Sequence, residues 1–282
     1  MSEGIHFVEM NEETFLQEAV AVIDKAQARG VPLRILGAMA IYAHSPDRVE
    51  FMKLSKSLPR FGEGKPTFTD LDVVGYKKQQ KEISKTFEEL GYKPDYRLNA
   101  ILGYSTGGRR LYYNHPQDKY HVDIFLDRLS FSHIVNFGDK PGSGRLELDN
   151  PTITLADIVL EKTQIHFIDR KDIIDLILLF ATHDVEPEQS KDTIDGKYIA
   201  TVLSDDWGFW YDSTTNLDKA MKAMETFRQS GNIPEAHAKT TTDQINKLRK
   251  IIDETPKTKN WEKRAKTGTN KPWYSDTEEV QR

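Results

Sequence analysis

Apolar residues recur at helical spacing over residues 11–29, where Phe15, Ala19, Val22, Ile23 and Ala26 share a face until Gly30, Val31 and Pro32 stop the run. The period then changes. Residues 33–36 read as a short strand ending at Gly37, and residues 38–44 resume with helix formers until Ser45 and Pro46 break them. A polar stretch over 47–66, with Gly62, Gly64 and two prolines, reads as a loop or flap. The pattern predicts a strand over 67–75 and a helix over 78–90 closed by Gly91. Residues 97–126 read as an antiparallel meander: an apolar segment at 99–103, a turn at 105–108, and strands at 109–113 and 120–126. Beyond residue 150 the spacing is helical, over 155–167, 170–182, 193–203 and 217–229. The expectation is an α+β chain. Its mixed β-sheet core, flanked by helices, occupies 1–150, a mainly helical domain 151–235, and a helix with a basic tail 236–282, with the active site between the sheet half and the helical half.

The 282 residues are 38% hydrophobic and 10% aromatic, enough for one large core or two modest ones. Charged residues make up 29% of the chain and the formal net charge is −5, so no overall field draws nucleic acid or a membrane, and any basic site must be local. The lack of cysteine excludes disulfides, thiolate metal sites and cysteine nucleophiles, and suits a reducing compartment. Residues 1–13 carry four acidic groups and no basic-then-apolar secretory pattern. The longest apolar run, 173–180, is interrupted by Asp175 and is too short to cross a bilayer. A cytoplasmic protein with no membrane partner is expected.

Strand alternation brings in the chemistry. In Thr69-Asp70-Leu71-Asp72-Val73-Val74, Leu71 and Val73 take one face and Asp70 and Asp72 the other. In the strand over 120–127 the same rule turns Val122, Ile124 and Leu126 inward and places Asp123 and Asp127 opposite. Asp123 joins the pair if the two strands are neighbours. Carboxylates one residue apart repel, and a bound dication resolves the repulsion. Hard oxygen ligands suit Mg²⁺ or Mn²⁺, and Mg²⁺ favours one or two carboxylates together with substrate phosphates. Three carboxylates can hold two such ions around an in-line nucleotidyl displacement. Gly37, ending a strand and opening a helix, adds backbone N–H donors and the positive end of a helix dipole for a triphosphate.

Leu36-Gly37-Ala38, Asp70-Leu71-Asp72 and Val122-Asp123-Ile124 resemble the signature of the nucleotidyltransferase superfamily, of polymerase-beta-like fold. That signature is a Gly-Gly or Gly-Ser pair opening a helix, an Asp-x-Asp strand, and a third Asp on a nearby strand. The segments 155–162, Leu-Ala-Asp-Ile-Val-Leu-Glu-Lys, and 169–176, Asp-Arg-Lys-Asp-Ile-Ile-Asp-Leu, are similar to the third and fourth motifs of the abortive-infection (AbiE toxin) nucleotidyltransferases. Ala38 departs from the signature, keeping the backbone donors without a hydroxyl, and the stretch from Gly37 to Asp70 is longer than usual. The resemblance implies a Mg²⁺- or Mn²⁺-dependent enzyme that moves an NMP from an NTP to an acceptor hydroxyl on RNA, protein or a small molecule. It further implies that Asp70, Asp72 and Asp123 bind metal, Asp123 serving as third ligand or base. Gly37, Ala38, Lys162 and Asp172 would contact the nucleotide, Lys162 and Asp175 would support catalysis, and an antitoxin would be the partner. The rival is a non-catalytic member of the fold that binds a nucleotide or a protein partner. Ala38 favours it; the intact spacing of the three carboxylates opposes it.

Lys162 has Ile158, Val159 and Ile165 three and four residues away, so its stem lies on an apolar face and its ammonium needs a partner. An internal ion pair with Asp172 or Asp175 tying two helices together, a contact to phosphate, or both would serve. His115, His121 and His133 lack zinc-ligand spacing and read as surface or core residues. Trp207, Phe209, Trp210 and Tyr211 read as a core anchor rather than a base-stacking surface. In the segment 255–274, Lys257, Lys259, Lys263, Arg264, Lys266 and Lys271 stand against Glu262 alone, with Trp261, Trp273 and Tyr274 among them. Such a tail can contact RNA, or its rings can fasten it to the acidic body.

Overall fold

The computed structural model describes residues 10–58, 60–62, 65–188, 190 and 192–276. The secretory-signal reading of residues 1–9 and parts of the flap at 59, 63 and 64 lie outside them. In chain order the first elements are α1 (Glu12–Gln27), β1 (Arg34–Ile35), α2 (Gly37–His44), α3 (Arg48–Ser57), β2 (Asp70–Gly75), α4 (Gln80–Glu89), β3 (Lys93–Pro94), α5 (Tyr96–Ser105), β4 (Arg110–Asn114) and β5 (His121–Leu126). There follow β6 (Arg128–Ser130), β7 (Ile134–Asn136), α6 (Leu155–Thr163), α7 (Arg170–Thr182), β8 (Asp184–Glu186), β9 (Thr193–Asp195), α8 (Gly196–Asp205), α9 (Trp207–Gln229), α10 (Glu235–Glu254) and α11 (Lys259–Ala265). The fold is α+β with a mixed sheet.

The chain forms two units. The first holds the described residues within Met1–Ala43, Gly64–Arg128 and Asn136–Ile153; the second holds those within His44–Glu63, Leu129–Val135 and Thr154–Arg282. Residues 44–63 and 129–135 thus belong with the helices of the second unit. In that unit α10 packs on α7, α8 and α9.

In the first unit the strand order is β1-β2-β5-β4-β3, with β2 and β5 parallel and every other pair antiparallel. Alternation sorts the two faces of the sheet. Leu71, Val73, Val122, Ile124 and Tyr113 turn to a face covered by α1 and α4, where Phe15 lies 4.4 Å from the Tyr120 ring and Phe87 stacks on Tyr113 at 5.2 Å. Gly75 lies on that face close to α4, where a Cβ would sit 2.6 Å from the terminal Cδ1 of Ile83 and push it aside. Burying these large side chains contributes roughly 1.5–3 kcal/mol each. The opposite face carries Asp70, Asp72, His121, Asp123, Arg110 and Tyr112.

Two expectations are corrected. Within the supposed flap over 47–66, residues 48–57 form α3: Asp47 caps it by accepting from the Glu50 N–H, and Phe51 and Leu54 are buried three residues apart. Two apolar positions in a polar stretch were too few to reveal the period. The apolar segment at 99–103 is helical rather than extended, as part of α5, whose cap Asp95 accepts from the Leu98 N–H and which buries only Leu102. The Asn99 amide then reaches β4, where its Oδ1 accepts from the Tyr112 N–H at 2.6 Å and its Nδ2 donates to the Tyr112 carbonyl at 3.0 Å. A side chain thus pairs with the strand edge that the meander pattern assigns to backbone. In the second unit α9 begins at Trp207, so the aromatic run is its first turns.

Candidate active site

The parallel register of β2 and β5 sets Asp72 directly beside Asp123 and Asp70 beside His121. Paired residues on adjacent strands point to the same face, with strands about 4.8 Å apart. Asp70, Asp72 and Asp123 therefore share one face, as alternation predicts. Asp70 and Asp72 are half-buried and Asp123 is buried. The turn from β1 into α2 lies alongside, because the Leu36 N–H donates to the Asp72 carbonyl at 2.9 Å. Gly37 follows with φ +67°, a conformation that costs glycine little and other residues more, so the glycine is what lets the chain turn from strand to helix here. Asp127, the other carboxylate on the outward parity, serves the backbone instead, accepting from the Lys77 N–H at 2.8 Å from its own position at φ 68°.

Sequence reasoning missed Arg110. On β4, antiparallel to β5, its Nε and Nη2 donate to the two carboxylate oxygens of Asp123 at 2.8 and 2.7 Å, and its guanidinium lies 4.9 Å over the Phe125 ring. The available signal was parity, which puts Arg110 and Tyr112 on the same face of the neighbouring strand. His121 is steadied on this face by Asn114, whose Oδ1 is 2.8 Å from Nδ1, and by the Tyr112 ring at 5.1 Å. Among the described residues, no three His, Asp or Glu side chains are gathered as the ligands of a metal.

The other predicted residues meet in the second unit. Lys162 Nζ on α6 lies 2.9 Å from Asp172 Oδ1 and 3.0 Å from Asp175 Oδ2, both on α7, with Glu161 at 3.8 Å. Arg60 joins them, its Nε 2.6 Å from Asp175 Oδ1 and its Nη2 2.9 Å from Oδ2. All are nearly sealed from solvent. Burial alone pushes the Lys162 ammonium down, but the Asp172 and Asp175 carboxylates outweigh it and hold its pKa well above the ordinary range. Burial likewise raises the Asp172 carboxyl, while at Asp175 the Arg60 and Lys162 charges overcome burial and lower it. The interhelical ion pair is formed, with a second cation from a stretch that reads as loop in the sequence.

No protein-family model matches the chain, and no curated protein matches it. Among solved structures, the solution structure of the antibiotic-resistance factor ANT(2'')-Ia is similar at a TM-score of 0.33 and 12% identity, over 78% of this chain and 100% of that one. So slight a likeness identifies nothing, and the site is read from its own residues.

The C-terminal rings fasten the tail within the second unit. Trp261 lies against Trp210 at 5.1 Å, Trp273 against Tyr211 at 5.3 Å, and Tyr274 stacks on His166 at 3.6 Å. Two of the six basic groups also serve the tail itself: Arg264 donates to the Gly268 and Lys271 carbonyls, and Lys257 to those of Ile252 and Thr255. A Cβ at Gly208 would meet the Trp273 carbonyl oxygen at 2.5 Å. Gly208→Ala should therefore lift this segment, lowering stability by about 1–3 kcal/mol in denaturant titration and exposing residues after Glu254 to protease.

Asp212 anchors the same segment, its oxygens 2.8 Å from His133 Nε2 and 2.9 Å from His166 Nδ1, and accepting from Trp273 Nε1 at 3.1 Å. Burial raises its pKa, but these hydrogen bonds outweigh burial and leave it below the ordinary carboxylate value. A carboxylate depressed in the folded state stabilises it above the unfolded pKa of about 3.9 and loses that contribution as pH falls through the folded value. Acid below about pH 4 should release the tail in the wild type, seen as a change in tryptophan fluorescence, and Asp212→Asn should remove that step.

Of the remaining histidines considered for zinc, His115 lies 3.4 Å from Glu18 and is lowered by burial. Among the described residues, no helix is long and apolar enough to cross a membrane.

Proposed function

We propose that the chain is a nucleotidyltransferase that moves a nucleoside monophosphate from an NTP to an acceptor hydroxyl, using the face that carries Asp70, Asp72 and Asp123. One observation carries this reading: the register that sets Asp72 beside Asp123, with the Gly37 turn hydrogen-bonded alongside Asp72. Asp70 and Asp72 offer carboxylate oxygens, the donors that Mg²⁺ or Mn²⁺ takes, while Asp123 on the same face is held by Arg110. Bound there, the ion would neutralise phosphate charge and lower the pKa of the attacking hydroxyl. Asp70 and Asp72 would hold the ion, and the amides opening α2 would serve the phosphates. Asp123 would either complete the ligand set or take the hydroxyl proton. The acceptor oxygen bonds to the α-phosphorus as the bond to the β-phosphate oxygen breaks, and pyrophosphate leaves.

Lys162 and Asp172 as nucleotide contacts, and Asp175 as a catalytic residue, enter through the AbiE-like motifs alone; their observed partners include one another, Arg60 and Glu161. The same motifs carry the proposal of an RNA or protein acceptor and an antitoxin partner. The second reading, a non-catalytic nucleotide- or protein-binding member of the fold, is favoured by the Arg110 fork on Asp123. Incubation of the protein with each α-labelled NTP, Mg²⁺ or Mn²⁺ and a cell extract separates the two readings. Transfer that requires metal and Asp72 supports the enzyme; nucleotide binding without transfer supports the second reading.

A further inference from the structure

Helix α5 turns little of itself inward. It packs against β4 and buries only Leu102, with Leu98 half-buried, while the Asn99 amide ties it to the Tyr112 backbone. Tyr96, Ile101 and Tyr104 are 81%, 53% and 94% exposed, and Arg97, Ala100 and Ser105 are exposed among them. At about 100° per residue these six occupy one half of the helix, and Leu98, Asn99 and Leu102 the other. Single exposed apolar side chains are ordinary, but a contiguous stripe of them marks a contact surface. Ten residues are also too few for a helix to hold in water by itself, so α5 depends on packing and has little of it. Tyrosine and arginine are among the side chains that carry most of the energy in protein interfaces.

The order of residues on this face is self-complementary. Two copies of α5 laid antiparallel, about a two-fold axis passing between Ala100 and Ile101, set Arg97 against Tyr104 of the second copy, Ala100 against Ile101, and Tyr96 against Ser105. Each pairing joins unlike groups and is made twice: a guanidinium over a tyrosine ring, a small alanine leaving room for a branched isoleucine, a ring covering a serine. The two arginines then stand about 10 Å apart along the helix axis rather than side by side. No Asp or Glu occurs from Tyr96 to Gln117, so neither α5 nor β4 offers Arg97 a carboxylate. The ring of a second copy gives its charge a partner.

We propose that this face joins two copies of the chain, α5 on α5, in a weak symmetric dimer. The pairing does not depend on the nucleotidyl-transfer reading. It braces the helix whose Asn99 closes the Tyr112 edge of β4.

Sedimentation equilibrium of the full chain tests this. The wild type should dimerise with a dissociation constant on the order of 10 µM, as suits a contact below the standard interface size. Amide exchange over 96–105 should slow as the concentration rises. Arg97→Glu removes the cation and places an acid in the first turn of α5, where it suits the helix dipole, so it should weaken association about tenfold or more without melting the helix. Ile101→Lys sets like charges at the axis and should abolish the dimer, and Tyr104→Ala should weaken it about as much as Arg97→Glu does. Val49→Ser, at a position 68% exposed on α3, should leave association unchanged. Far-UV circular dichroism checks that each variant folds. A wild type that stays monomeric at about 100 µM overturns the proposal, as does a dimer that Arg97→Glu, Ile101→Lys and Tyr104→Ala leave intact. A monomer that binds a single-stranded oligonucleotide through Tyr104 also overturns it and gives the face to stacked bases.

Discussion

Asp175→Ala is expected to destabilise the helical unit by about 3–5 kcal/mol, the cost of breaking a buried ion pair by removing one partner. The carboxylate is 1% exposed and stands between two buried cations, Arg60 and Lys162, whose side chains are each 8% exposed. Its loss leaves the Arg60 guanidinium buried without this neighbour, and water cannot readily replace it. Lys162→Met should cost less. It keeps the apolar stem, leaves Asp175 paired with Arg60, and strands only Asp172, whose pKa burial already raises so that it can become neutral by taking a proton. Denaturant titration of the two variants gives the order, with Asp175→Ala the less stable. If Lys162→Met instead proves the more damaging, the cluster is held by the lysine rather than by the aspartate. A stability loss in Lys162→Met with unchanged nucleotide affinity would leave Lys162 with a structural role alone.

The carboxylate face was legible because alternation is strict. Leu71 and Val73 fix the parity of β2, Val122 and Ile124 that of β5, and the three aspartates follow without any knowledge of contacts. The partners lay beyond that reach. Nothing near Arg110 in the chain marks it as special; it becomes a partner of Asp123 only through the β4–β5 register, which two tyrosines and a polar turn do not reveal. Arg60 was hidden differently: it follows α3, whose period rests on Phe51 and Leu54 among polar residues, and the glycines and prolines around it read as a flap. The helix α5 escaped because it buries only Leu102 and so shows no apolar stripe. Where burial was extensive, as in α7, the sequence carried the element plainly, and the charged residue inside its apolar run, Asp175, marked the polar cluster.

Asp72→Asn should reduce metal-dependent nucleotidyl transfer by roughly a hundredfold or more, because removing one ligand charge forfeits several kcal/mol of transition-state stabilisation. The fold should not suffer. Asp72 sits beside Asp70 on its own strand and beside Asp123 across the ladder, and asparagine keeps its shape while removing one of the like charges. Asp123→Asn makes the contrast. It lowers transfer too, but it also breaks the bidentate pair with Arg110, and a buried charge-assisted contact of that kind is worth about 1.5–3 kcal/mol. Thermal melting without metal should therefore separate the two, with Asp72→Asn at or above the wild type and Asp123→Asn below it. Added Mn²⁺ should then raise the melting temperature of the wild type and have little effect on Asp72→Asn. A metal-free Asp72→Asn protein that melts well below the wild type would mean that this carboxylate holds the sheet together, and the face would lose its standing as a metal site.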